Sequence, residues 1–139
     1  MKKNEPVHRI MTPNPISINR NGRPSEVRTI LEEQSIHHLP VTDGNRLVGI
    51  ISASDLLRVS FGEFGEHDSR GLDAMLDHTY TVAELMNSDP VTISSNNSIR
   101  EAAQILVSGR FHSLPVIDGN ELIGIVTSSD LIRYLLEQY

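Results

Sequence analysis

Gly49-Ile50-Ile51-Ser52-Ala53-Ser54-Asp55 recurs 75 positions later as Gly124-Ile125-Val126-Thr127-Ser128-Ser129-Asp130. In each copy a glycine opens an apolar run, a hydroxyl residue follows, and an aspartate stands three residues beyond it. Leu56-Leu57 and Leu131-Ile132 then begin an apolar pattern of helical kind. This order predicts a buried strand that turns directly into a helix. The first N–H groups of such a helix lack partners and its dipole favours negative charge, so a phosphate can bind there. Ser52 with Asp55, and Thr127 with Asp130, also fit the capping pattern of Ser/Thr followed three residues later by an acid. Spacing alone leaves both readings open.

The corner sits at the same place in a longer repeat. Met11 matches Met86, Pro15 matches Pro90, and Ile18 matches Ile93. Leu39-Pro40-Val41 matches Leu114-Pro115-Val116, Asp43-Gly44-Asn45 matches Asp118-Gly119-Asn120, and Arg58 matches Arg133. The offset is constant, and about 22 of the 53 positions from Val7 to Val59 are identical to their mates. The duplication predicts a mixed α/β (α+β) fold of two pseudo-symmetric β-α-β-β-α units, residues 7–60 and 82–136. Each is too short to bury its sheet alone, so the pair is the folding unit.

Within the first copy, Thr12-Pro13-Asn14-Pro15 breaks a short helical turn, and Ile16-Ser17-Ile18 reads as a strand. Pro24 fits a first helical position, with Val27, Ile30 and Leu31 at helical spacing to about Gln34. Leu39–Thr42 and Leu47–Ile51 form a hairpin through Asp43-Gly44-Asn45, with Pro40 expected at an edge or strand start. Residues 61–81 form an acidic, glycine-containing connector, loop-like to Gly71, with a short amphipathic helix around Leu72, Met75 and Leu76. Met1 to Glu5 is polar and expected to fray.

Composition narrows the function. The net charge of −6 argues against general nucleic-acid binding, and 4% aromatics argue against base-stacking platforms. With no cysteine there is no disulfide, thiolate site or cysteine nucleophile. No apolar run has membrane-spanning length and no signal pattern opens the chain, so no membrane association is expected and the cytoplasm is the expected compartment. No catalytic arrangement can be placed, so no catalytic residue and no enzyme is expected. His67, Asp68, Asp77 and His78 match no ligand spacing; solvated acids are the simpler reading, and no metal is assigned.

The repeated pattern resembles the tandem CBS (cystathionine-β-synthase-type) domain pair, or Bateman module, from Val7 to about Leu136. The resemblance rests on the proline-bounded first strand, the His-x-Leu-Pro-Val strand, the Asp-Gly-Asn hairpin and the Gly-h-h-Ser/Thr-x-x-Asp ending, each present twice (h is apolar). It implies a stand-alone regulatory module with clefts between its units that bind adenosine-containing ligands. Asp55 and Asp130 would hold ribose hydroxyls, and Ser52, Thr127, Ser54 and Ser129 would face phosphate. The cleft of Asp130 would borrow Thr12, Ile16, Ile36 and His37; that of Asp55 would borrow Asn87, Val91, Phe111 and His112. His37 and His112 read either as exposed histidines at strand starts or as phosphate-facing donors, and their repetition favours the second.

The corners carry little Lys or Arg, and Arg58 and Arg133 are placed to pair with the aspartates one turn earlier. That favours AMP or ADP over ATP as the regulatory ligand. The resemblance also implies a homodimer through the helices and an unnamed regulated protein partner. Two other readings stay open. One is a dimeric interaction scaffold whose clefts Ile16, Val91 or Phe111 fill. The other is a module for S-adenosylmethionine or NADH.

Overall fold

The computed structural model describes residues 4–60 and 69–139. A short 3-10 turn at Val7–Arg9 precedes β1 (Thr12–Pro13), β2 (Ile18–Asn19), α1 (Pro24–Glu33), β3 (His38–Asp43), β4 (Arg46–Ser52) and α2 (Ala53–Ser60). After the connector come α3 (Ser69–Thr79), α4 (Val82–Leu85), β5 (Ile93–Ser94), α5 (Ile99–Leu106), β6 (Ser113–Asp118), β7 (Glu121–Thr127) and α6 (Ser128–Glu137). Both repeats therefore carry the expected β-α-β-β-α order. The chain forms two compact units. One comprises Ile16–Gly44 and Val48–Pro90, and the other comprises Met1–Pro15, Asn45–Leu47 and Val91–Tyr139. They are called here the first-repeat and second-repeat units. Each holds the opening segment of the other's repeat.

In the second-repeat unit, β5 runs parallel to β6 (Ile93↔Val116). β6 pairs antiparallel with β7 from Ser113↔Thr127 to Asp118↔Glu121. Gly119 at φ 63° makes the tight turn, a left-handed position that glycine occupies without a Cβ penalty. Leu114, Val116 and Val126 pack with Ala102 and Leu106 of α5 and with Val7 to form the core. The chain's opening segment completes the unit. Val7 N–H donates to Asn97 O (2.7 Å) and Ile99 N–H to Glu5 O (2.8 Å), while Tyr134 of α6 hydrogen-bonds the Glu5 carboxylate.

In the first-repeat unit, β2 runs parallel to β3 (Ile18↔Val41), and β3 lies between β2 and β4. Leu39, Val41 and Ile51 pack against Val27 and Leu31 of α1, with Leu76, Val82 and Leu85 from beyond the connector. α3 lies along α1. Arg28 donates to both Asp73 carboxylate oxygens (2.6 and 3.0 Å), and this hydrogen bonding raises the arginine pKa. Asp77 accepts from Ser25 N–H (2.8 Å) and Oγ–H (2.7 Å), which places an acid on the first turn of α1.

Four local expectations need correction. Thr12-Pro13 is strand, not only a break, because it pairs with Ile125 and Gly124 on β7. β2 begins at Ile18, leaving Ile16 outside it and 44% exposed. Pro40 and Pro115 sit inside their strands and are fully buried, not at edges. Each is tolerated because pairing with the short neighbouring strand starts one residue later, at Val41 and Val116. α3 starts at Ser69, so Arg70 and Gly71 are helical, and Asp73 and Asp77 are partners of α1 rather than loop acids. The rest of the connector, with His67 and Asp68, and the polar start Met1 to Lys3 lie outside the described residues.

The repeated glycine has a packing cause. A Cβ on Gly49 would lie 2.8 Å from Asn87 O and against Met86; one on Gly124 would lie 3.1 Å from Thr12 O and against Met11. A methionine and a backbone carbonyl of the exchanged segment thus rest on the bare glycine in both units. Gly49→Ala is expected to lower unfolding free energy by roughly 1–3 kcal/mol, the usual cost of overpacking. Chemical denaturation measures it, and an unfolding free energy unchanged by the substitution would contradict the packing argument.

Candidate functional site

Both corners form as strand passing into helix, and the aspartate of each is held twice. In the second-repeat unit, Asp130 N–H donates to Thr127 Oγ1 (3.2 Å) and Thr127 N–H donates back to Asp130 Oδ2 (2.9 Å), a complete capping box at the start of α6. Arg133 Nη1 lies 3.1 Å from Asp130 Oδ1. The first-repeat unit repeats this arrangement. Asp55 N–H donates to Ser52 Oγ (3.0 Å), Ser52 N–H to Asp55 Oδ2 (3.1 Å), and Arg58 to Asp55 Oδ1. Capping is therefore real at both corners, and so is the arginine pairing expected from spacing.

Capping does not exhaust the groups present. A carboxylate has about four acceptor positions and two are used, one on each oxygen. Ser52 and Thr127 hydroxyls accept the cap bond and keep an O–H to donate. The boxes of α4 (Thr81/Glu84) and α5 (Ser98/Glu101) give a comparison within the chain. There the acid is glutamate, and Asn87 and Gln104 stand where the corners have arginine. The arginines are 67% and 71% exposed, so each pairs with its aspartate while its head stays in solvent.

The two corners differ in burial. Asp130 is buried, whereas the Asp55 side chain is 30% exposed. Burial pushes the Asp55 pKa up, but hydrogen bonds from Ser52 and Arg58 outweigh it and hold the carboxyl below its usual range.

The remaining sequence-derived residues distribute between the units. Thr12, exposed, pairs with Ile125 two residues before Thr127, which puts it beside β7, the strand leading to Asp130. Asn87, exposed, exchanges both backbone bonds with Ile50 (3.0 and 2.8 Å), two residues before Ser52. His112 O accepts from Ser128 N–H (3.2 Å) and His37 O from Ala53 N–H (2.8 Å), so each exposed histidine adjoins the corner of its own repeat. Half-buried Phe111 and exposed Val91 lie in the second-repeat unit; half-buried Ile36 and exposed Ile16 lie in the first-repeat unit. Ser54 and Ser129 are exposed on the first turns of α2 and α6. Asp77, raised as a weak metal candidate, spends both oxygens on Ser25, and no group of three metal-ligating side chains exists among the described residues.

One residue escaped the sequence reading. Ser113 is directly paired with Thr127 across β6 and β7, so their side chains share one sheet face. It is 8% exposed, and its hydroxyl has no hydrogen-bond partner among the described residues. Its repeat mate is His38, so a polar residue at that position in both copies was the available signal.

The comparisons agree with this architecture. The CBS domain family model matches residues 7–62 and 82–137. A homoserine O-acetyltransferase of Methanocorpusculum labreanum is 32% identical over 127 residues, 90% of this chain and 23% of that protein. The chain spans between 23% and 53% of the four curated relatives it matches first. The structure of CBSX2, an Arabidopsis thaliana protein, in complex with AMP superposes with TM-score 0.80 at 29% identity, covering 96% of this chain and 98% of that one. The CBS domain pair of MJ0100, in complex with 5′-methylthioadenosine and S-adenosyl-L-methionine, superposes with TM-score 0.74 at 26% identity, covering 96% and 98%.

The pH dependence of the first corner follows from the Asp55 shift. Its folded pKa lies below the ordinary 3.8, so its stabilisation is present above that pH and is lost as pH falls through the folded value. Carbon-detected NMR titration is expected to show Asp55 titrating below ordinary carboxylates, and Arg58→Ala should raise its midpoint. An unchanged midpoint in that variant would remove the arginine from the account.

Proposed function

The chain belongs to the CBS domain family, and from that premise we propose that it is a regulatory module binding an adenine nucleotide, AMP- or ADP-like, at its Asp55 and Asp130 corners. The observation that carries this is the aspartate with spare acceptor positions beside a hydroxyl-lined helix start, built twice. A carboxylate can accept both protons of a vicinal ribose diol. The hydroxyls of Thr127 and Ser129, or Ser52 and Ser54, then donate to the phosphate at the helix N-terminus. Thr12, on β1 beside β7, and Asn87, bridged to β4, lie next to the strands leading to the two corners and present side-chain groups to the base. The module senses its ligand in the cytoplasm and catalyses nothing itself. No helix among the described residues is long and apolar enough to cross a membrane.

The relatives bound to AMP and to S-adenosyl-L-methionine support an adenosyl ligand at this fold. The phosphate-bearing choice follows from the hydroxyl-lined helix starts, which favour an anionic tail over a sulfonium. Self-association is part of the same reading. α6 exposes Ile132, Leu135 and Leu136, at 59%, 45% and 71%, on a helix that a second copy would cover.

Two experiments test the reading. A thermal-shift panel of AMP, ADP, ATP, S-adenosylmethionine and NADH should show the largest stabilisation by AMP or ADP, since a ligand that binds only the native state raises its melting point. No response to any of them favours a scaffold, and a response confined to S-adenosylmethionine or NADH replaces the ligand. Asp130→Ala should lose about 1 kcal/mol of stability, the usual cost of a cap, and at least tenfold in nucleotide affinity. Glu101→Ala removes a capping acid of the same kind on α5 and should leave affinity unchanged. Equal affinities in the two variants would reduce Asp130 to a cap.

A further inference from the structure

We infer that Arg58 and Arg133 decide whether an anionic tail is accepted at the two corners, by neutralising the aspartate that occupies the same helix N-terminus. The inference rests on the nucleotide reading above and supplies the positive charge that reading lacks. A capping carboxylate and an incoming phosphate compete for one electrostatic position, the positive end of the helix. At α6 the carboxylate is already in place. Asp130 is buried, and its Oδ2 takes the Thr127 N–H at 2.9 Å on the first turn. An unneutralised aspartate would repel the phosphate that the turn otherwise favours.

Residues 52–55 and 127–130 contain no Lys or Arg. The cation comes from one turn further on. Arg133 sits 3.1 Å from Asp130 Oδ1 while its side chain stays 67% exposed. Arg58 does the same for Asp55 at 71% exposure. A guanidinium has five N–H donors, so one bond to the carboxylate leaves the others for solvent or for a ligand oxygen. The Ser/Thr capping boxes with glutamate, on α4 and α5, lack a cation at this spacing, and the box of α1 pairs its Glu26 with Arg23 on the preceding side, at 3.3 Å. An arginine one turn beyond the capping acid is thus found at the two corners and at none of the three glutamate boxes.

The test compares adenosine with AMP, titrated by calorimetry into the full chain, into Arg58→Ala/Arg133→Ala, and into Arg58→Lys/Arg133→Lys. The ratio of AMP to adenosine affinity is expected to fall about tenfold in the alanine variant, to recover in the lysine variant, and to shrink with added salt in the wild type and the lysine variant but not in the alanine variant. A ratio that stays constant across the three proteins overturns the inference while leaving nucleotide binding standing. Adenosine and AMP both failing to bind the wild type overturns the nucleotide reading and the inference with it.

Discussion

The hydrogen bond from Thr127 N–H to the Asp130 carboxylate, with its counterpart from Ser52 to Asp55, is the interaction on which the rest turns. It ends a strand and starts a helix with no intervening loop, so strand and helix geometry together fix where the carboxylate stands. The reciprocal bond from the aspartate N–H to the hydroxyl locks the same two residues from the other side. A side chain held at both oxygens has few rotamers left to lose on binding a ligand. That is the sense in which the corner is preorganised.

The second constraint is the contact between each hub glycine and the methionine-bearing segment exchanged between repeats. Met11 and Thr12 lie on Gly124, and Met86 and Asn87 lie on Gly49. No side chain fits between, so the exchanged segment comes close enough for Thr12 to pair with β7 and Asn87 with β4. The glycines therefore serve packing first. Neither has the left-handed φ seen at Gly44 and Gly119, where backbone conformation is the reason for glycine.

Much of this was legible in the residues. The constant 75-residue offset, the Asp-Gly-Asn turns and the hydroxyl-x-x-Asp spacing are local signals, and the hairpins and capped helices followed from them. The missed features depend on partners distant in the chain. Thr12 meets Ile125 across more than a hundred residues, and nothing near Thr12 announces a strand. Asp77 reads as a solvated acid until α3 lies on α1 and brings it to Ser25, with Asp73 brought to Arg28. Pro40 reads as an edge residue because proline cannot donate, yet β2 is so short that no neighbour asks for the bond. Ser113 shares with its repeat mate His38 only a polar character, and strand register alone places it beside Thr127.

The account's central claim is that the corner carboxylates recognise a vicinal diol, and one substitution in the ligand isolates it. Calorimetric titration of the full chain with AMP and with 2′,3′-dideoxy-AMP changes only the two hydroxyls and leaves base and phosphate alone. The account requires the dideoxy compound to bind at least tenfold more weakly, the loss expected when hydrogen bonds to a charged acceptor are removed. Equal affinity for the two would contradict it and leave Asp55 and Asp130 as helix caps.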